Sequence, residues 1–367
     1  MLEEDLFYTL ALQRVKGIGD INAKKLIAHC GSPKQVFKSK KYLLEKINGI
    51  GSFTIRNLND SQNLKAAENE LKYLKTHTIA FRYFLDKDYP EGLKHCVDAP
   101  ILLFTKGNIN LNKAPLISIV GTRNITSYGR SFCEDLIENL KEYKPIIVSG
   151  FAYGTDITAH KSAIKQKLQT IGVLAHGFEK MYPKSHIKYV EEVAQNGGFI
   201  TDFWHNDALI RENFLKRNRI IAGLTEATII IESAEKGGSL VTADIASSYN
   251  REVLAVPGRA TDTYSKGCNT LIKQNKAAIL TSATDVVELL NWKLEETKPK
   301  SVQKQLFVEL NNEEQKVYDF LIEKGKTQLD FIALQNQLPI HKTSTLLFNL
   351  EMKGVVKPLP GKLFEAI

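Results

Sequence analysis

The stretch "SIVGTRNITSYGR", residues 118–130, runs from an apolar strand through a glycine into a helix. That order resembles the phosphate-binding turn of a nucleotide-dependent enzyme, yet it is not G-x-G-x-x-G. Arg123 stands where a dinucleotide-binding turn carries its second glycine, which lets a pyrophosphate press on bare backbone. Working outward, the chain from Pro115 alternates short apolar segments with amphipathic ones: "PLISIVG", "PIIVSG", "TIGVLAH", "GGFITDF", "ATIIIES", "EVLAVPG" and "AAIL". That rhythm predicts a doubly wound parallel sheet. Ligands of such sheets sit beyond the carboxyl ends of the strands. There the sequence places Gly121, Gly150, Gly154, Gly177, Gly237, Gly238 and Gly258, which would together form one glycine-lined rim.

Absences narrow what the rim binds. An NAD site wants an acidic residue closing the second strand, and that strand ends in Ser149-Gly150. "EKGKT" (323–327) imitates the end of a P-loop, but Phe320 stands where the first glycine is needed. Asp156 and His160, four apart at a helix start, share a face; one pair is too few for a metal, and a capping and packing role is expected. No G-x-S-x-G elbow or spaced Ser, His and Asp set points to a hydrolase. Catalytic residues, metal ligands and a cofactor are therefore not expected.

Composition bounds the rest. The chain has 367 residues, is 43% hydrophobic and carries 49 Lys+Arg against 41 Asp+Glu, a net charge of +8 that favours a polyanionic partner. No apolar stretch approaches the length that crosses a bilayer, and "MLEEDLFY" is acidic where a signal peptide is basic, so a cytoplasmic location without a membrane partner is expected. Cys30, Cys96, Cys133 and Cys268 form no C-x-x-C and read as buried free thiols. Residues 115–293 are nearly balanced, with 21 basic and 19 acidic side chains, so an anion site there must come from clustering; "FLKRNRIIAG" (214–223) supplies Lys216, Arg217 and Arg219. Phe151, Tyr153, Phe178, Tyr182, Phe203, Trp204 and Phe214 lie near strand ends. Amides and cations for phosphates, with rings for unstacked bases, suit single-stranded nucleic acid.

Residues 1–80 hold 13 basic and 8 acidic side chains and two similar phrases, "LQRVKGIGDINAKKLIAHC" (12–30) and "LEKINGIGSFTIRNL" (44–58). Each is a G-I-G turn leading into an amphipathic helix, a helix-hairpin-helix or SAM-like pattern whose turns could hold a DNA phosphate beside Lys16, Lys24 and Lys25, or could simply make a compact module. A polar linker, 294–310, precedes residues 311–367, which read as three helices and a hairpin around "KPLPGK", a winged-helix-like domain. Its third helix, "HKTSTLLFNLEMKG", has few cations, which makes protein binding or dimer support at least as good a reading as DNA contact.

Over residues 81–293 the chain resembles the DNA-processing protein A (DprA/Smf) family. The resemblance is carried by "LDKDYPEGLKHCVDAPILLFTKGN" (85–108), "SIVGTRNITSYGR", "IVSGFAYGTDITAHKSAI" (147–164), "TIGVLAHGFEKMYPKSH" (170–186), "NFLKRNRIIAGLTEATIIIESAEKGGSLVTADIA" (213–246) and "VLAVPGRATDTYSKGCNTLI" (253–272). It implies an extended Rossmann-like core over 81–293 between the helical module and the winged helix. It also implies a homodimer that binds single-stranded DNA, protects it and loads RecA recombinase during natural transformation. Residue by residue, Gly121, Thr122 and Arg123 fall on the family's G-S/T-R turn, Gly150 on its S-G turn, Lys184 on the basic position after Y-P, and Arg217, Asn218 and Arg219 on R-N-R-I-I-A-G. Gly237, Gly238 and Ser239, opening the helix after the fifth strand, complete the expected phosphate contacts, and Phe151, Tyr153 and Phe214 are the expected base-stacking rings. Arg123 then replaces a glycine because a DNA phosphate is to be clasped by a cation as well as by amides. The sequence departs from the pattern at Tyr153, where many members have arginine, at Thr201-Asp202, which replaces Ser-Glu, and at Leu215, which replaces a proline. The competing reading is a nucleotide-processing enzyme, such as a nucleotide phosphoribohydrolase, which would need Asp156, Asp202 or Glu232 aimed at a ribose.

Overall fold

The computed structural model describes residues 2–111, 114–294, 310–359 and 362–367. The expected linker lies almost wholly outside these residues. Two compact units result, Met1–Leu294 and Glu295–Ile367.

The first unit is built on a nine-stranded sheet: β1 (Ala80–Tyr83), β2 (Leu102–Gly107), β3 (Leu116–Val120), β4 (Ile146–Ser149), β5 (Thr170–Val173), β6 (Gly197–Thr201), β7 (Ala227–Ile230), β8 (Glu252–Ala255) and β9 (Ala278–Ile279). Their order is β1-β2-β6-β5-β4-β3-β7-β8-β9. All seven expected strands are present, and they pair with one another in parallel. Two further strands extend the sheet: β1 pairs antiparallel with β2, and β2 antiparallel with β6. The strands read as unbroken apolar runs because both faces are covered. In β4, Ile146 and Val148 enter one core while Ile147 enters the other; β3 sends Ile117 and Ile119 to the second core and Val120 to the first. After β3 the chain steps through β4, β5 and β6 on one side, then returns to place β7, β8 and β9 on the other. The switch point thus lies at the carboxyl end of β3, where a crevice opens.

The N-terminal helices do not float free of this sheet. Leu6 and Leu10 of helix Glu3–Arg14 and Leu74 of helix Ser61–Thr76 share a core with Tyr83, Leu102, Phe104 and Trp204. Cys96, Cys133 and Cys268 are buried and Cys30 half-buried, all as free thiols; burial pushes the Cys133 and Cys268 thiols up to about 12.

The second unit packs helices Asn312–Lys324, Leu329–Gln335 and Ile340–Met352 against a small sheet of Thr327–Gln328, Val356–Leu359 and Leu363–Ala366. Its first helix starts on a capping box between Asn311 and Glu314. The two lysines of its third-helix region are engaged, Lys342 with Glu313 and Lys353 with Glu314, while Ile340, Phe348 and Met352 are exposed.

Candidate nucleic-acid interface

At the switch point lies an open cleft of about 710 Å³. One wall is the turn after β3, with Gly121, Thr122 and Arg123. Another is the loop after β7 and the start of helix Gly238–Ser248, with Ser233, Ala234, Gly237, Gly238 and Ser239. The third is helix Arg211–Leu224, through Phe214, Leu215, Arg217 and Asn218. Tyr182 and Asp156 also line it.

The turn after β3 is held by its own backbone. Thr122 N–H donates to Glu232 O at 2.7 Å, and the Thr122 carbonyl accepts from Thr155 N–H at 3.1 Å and from Thr155 Oγ1 at 3.2 Å. Gly121 is needed for this packing, since a Cβ there would stand 2.4 Å from Thr155 Oγ1. Arg123 is left exposed and joins no ion pair among the described residues; its guanidinium lies 5.4 Å from the Phe214 ring centroid. Tyr182 meets the same ring edge-on at 5.9 Å. A free cation beside an accessible ring can hold a phosphate and a base together. Opposite, the first amides of helix Gly238–Ser248 have no partner within the helix, and around Gly238 there is open space. Ser239 Oγ is turned inward to Ser233 Oγ at 2.9 Å.

Arg217 serves the floor of the cleft. It is buried, and Nη1 donates to Gly150 O at 2.6 Å and Val173 O at 2.5 Å, while Nε donates to Asn218 Oδ1 at 3.2 Å. Burial lowers its pKa to about 10 against the opposing pull of Asp156. The Asp156 carboxyl is raised by burial, a shift opposed by Arg217 and by the Ala152 N–H it accepts at 3.1 Å. Gly150 makes the arrangement fit, because a Cβ would stand 2.3 Å from Arg217 Nη1 and 2.6 Å from Asp156 Oδ2.

Three expected contacts are corrected, the first being Arg217, whose donors serve the protein's own interior and not a phosphate. Phe151 has no exposed surface: at φ +60° its ring turns inward against Phe199, His160 and His186, so it offers no face to a base. Arg219 leaves the cleft and pairs with Asp20 and Asp202 in a second groove that Lys216 also lines. Successive helical residues diverge by about 100°, so Lys216, Arg217 and Arg219 cannot form one cluster. Lys184 is exposed at the head of the 3-10 helix Lys184–Tyr189 and lies outside the cleft lining. Tyr153 is 43% exposed, its hydroxyl accepting from Ser185 Oγ at 3.2 Å. Sequence reading missed an aliphatic lip of Leu209 and Ile210 beside Leu215; the only signal was the apolar pair preceding the helix.

The carboxylates that a hydrolase would use are engaged. Glu232 accepts from Thr126 N at 2.8 Å and Thr126 Oγ1 at 2.6 Å, holding the residue that caps the helix Ser127–Leu140. Asp202 faces Arg219, and Asp156 faces Arg217. His160, as expected, packs: Nδ1 pairs with Thr170 Oγ1 at 2.7 Å. That hydroxyl already donates to Ile147 O, so Nδ1 carries the proton and the buried Nε2 has no partner. Burial lowers the His160 pKa to about 3. The folded state therefore holds His160 neutral while the unfolded state takes up a proton below pH about 6.5. Stability present above that pH is expected to fall by about 1.4 kcal/mol per unit as pH drops toward 4. Urea titrations of wild type and His160→Gln at pH 7 and 4.5 check this; equal acid losses in the two would remove His160 as the cause.

With this geometry in view, sequence comparison is decisive. The profile of the family described as DNA recombination-mediator protein A matches residues 80–291. The chain belongs to that family. A DprA winged helix domain profile matches residues 304–362. Among DprA relatives, the chain is 40% identical over 205 residues to DNA processing protein DprA of Bacillus subtilis (strain 168), covering 56% of this chain and 69% of that one. DprA from Streptococcus pneumoniae superposes with a TM-score of 0.66 at 27% identity, over 78% of this chain and 98% of that one. DNA processing protein A from Helicobacter pylori, whose structure gave insights into its single-stranded DNA binding mode, superposes with a TM-score of 0.53 at 26% identity, over 58% and 95%.

Proposed function

We propose that this DprA family member binds single-stranded DNA in the cleft at the sheet's switch point and acts as a recombination mediator. It protects incoming strands and loads RecA during natural transformation, as a cytoplasmic homodimer, without catalysis, metal or cofactor of its own. The observation that carries the reading is Arg123, an exposed cation near the Phe214 ring that joins no ion pair among the described residues and shares the cleft with the open N-terminus of helix Gly238–Ser248. Phosphate contacts of this kind are indifferent to sequence and weaken with salt. Dimerisation would set two clefts on one strand, raising avidity through effective concentration. A native mass spectrum with and without a poly-dT oligonucleotide tests both parts. Two chains on one oligonucleotide is the expected species; a monomer that ignores poly-dT would overturn the reading.

A further inference from the structure

We propose that the second hairpin of the helical module is a further contact for single-stranded DNA, separate from the cleft. The observation is a broken internal symmetry. Gly17 and Gly49 open the two G-I-G turns with φ of +91° and +90°. Three residues after the second glycine of each turn stand Asn22 and Thr54. Asn22 Oδ1 lies 3.4 Å from where a Gly49 Cβ would be, and Thr54 Oγ1 lies 3.0 Å from where a Gly17 Cβ would be. Six residues after, Lys25 Nζ donates to Asn48 O at 3.3 Å and Asn57 Nδ2 donates to Lys16 O at 3.2 Å. The two hairpins therefore brace one another through equivalent positions.

Their outer faces differ. The polar side chains of the first turn are tied to the neighbouring loop and helix: Asp20 accepts from Ile101 N–H at 2.9 Å and from Arg219 at 3.0 Å, and Lys24 donates to Cys96 O at 3.4 Å and Val97 O at 3.2 Å. At the matching places of the second turn stand Ser52 and Arg56, both exposed. Around it, Lys16 Nζ lies 5.9 Å from the Phe53 ring and Lys46 Nζ 5.9 Å from the Tyr42 ring. Phe53 is 50% and Tyr42 55% exposed. Between Arg14 and Leu58 the sequence holds ten Lys or Arg and only two acids, Asp20 and Glu45; Arg14 pairs with Asp207, Lys34 with Glu4 and Asp20 with Arg219, which leaves Lys16, Lys38, Lys40, Lys41, Lys46 and Arg56 in no ion pair among the described residues. A one-signed face with two accessible rings beside lysines complements a phosphate chain with unstacked bases. The proposal rests on the single-strand reading of the cleft only for the nature of the shared ligand.

The test uses the full chain and the triple variant Lys16→Ala, Lys46→Ala, Arg56→Ala, whose exposed side chains join no ion pair among the described residues. Anisotropy is read with poly-dT of about 6 and about 30 nucleotides, lengths that fill one site or more. The variant is expected to bind the long strand about tenfold more weakly, with a salt slope shallower by about 2, three phosphates at roughly 0.7 each. Its binding of the short strand is expected to be unchanged. An unchanged slope on the long strand overturns the proposal, as does a wild-type preference for duplex at this surface. Arg123→Ala, by contrast, weakens both lengths. Wild type that binds only the long strand, through these lysines, removes the cleft reading and keeps this one.

Discussion

Arg217→Met is expected to destabilise the Met1–Leu294 unit by about 3–5 kcal/mol, at about 1–3 kcal/mol for each buried acceptor left without its donor. Three acceptors lose their donor at once, the carbonyls of Gly150 and Val173 and the Asn218 Oδ1, and the buried Asp156 carboxyl loses the nearby positive charge. Methionine fills much of the volume, so the loss is polar and not a cavity. Both tryptophans of the chain, Trp204 and Trp292, fall within this unit, so their fluorescence in a urea titration reports its unfolding without the second unit. Asp156→Asn should soften the effect, because a neutral amide leaves no charge unpaired. If Arg217→Met melts like wild type yet loses DNA affinity with a shallower salt slope, Arg217 is a phosphate ligand after all and its interior role is wrong.

The contrast between Arg217 and Arg123 shows what the sequence makes legible. The strands of the parallel sheet announce themselves, because a strand covered on both faces must be apolar throughout, and "SIVG", "IIVSG" and "TIII" can be little else. The glycines after them locate the rim for the same reason: Gly121 and Gly150 stand where a Cβ meets another atom within 2.4 Å. Side-chain direction is another matter. Lys216, Arg217 and Arg219 read as one basic cluster, yet the helix sends Arg217 to the floor of the cleft and the other two toward Asp20 and Asp202. Phe151 reads as an aromatic at a strand end; its positive φ, which no composition or periodicity encodes, folds the ring into the core. The edge strand β1 was hidden because "AFRY" is short and half-exposed and pairs with a partner some twenty residues away, and β2 because its second partner, β6, lies nearly a hundred residues on. Such features depend on tertiary pairing, whereas the apolar period and the glycine rim are local.

Arg123→Ala is expected to carry the largest functional effect. Its guanidinium is exposed and joins no ion pair among the described residues, so removing it costs the fold little. A hydrogen bond to a charged group contributes about 1.5–3 kcal/mol, which predicts roughly a ten- to hundredfold loss of affinity for single-stranded DNA at low salt. Because one phosphate contact disappears, the slope of log K against log salt should become shallower by about 0.7, equally for all sequences. Arg123→Lys should restore the slope but only part of the affinity, since an ammonium keeps the charge and loses the planar fork that lies near Phe214. Phe214→Ala should remove about 1–3 kcal/mol of stacking and leave the slope alone. The mediator role gives a second readout. On strands coated with single-strand binding protein, wild type should shorten the lag before RecA hydrolyses ATP, and Arg123→Ala should leave that lag long. A variant that binds a hundredfold more weakly yet shortens the lag as wild type does would separate loading from this cleft and place it elsewhere on the protein.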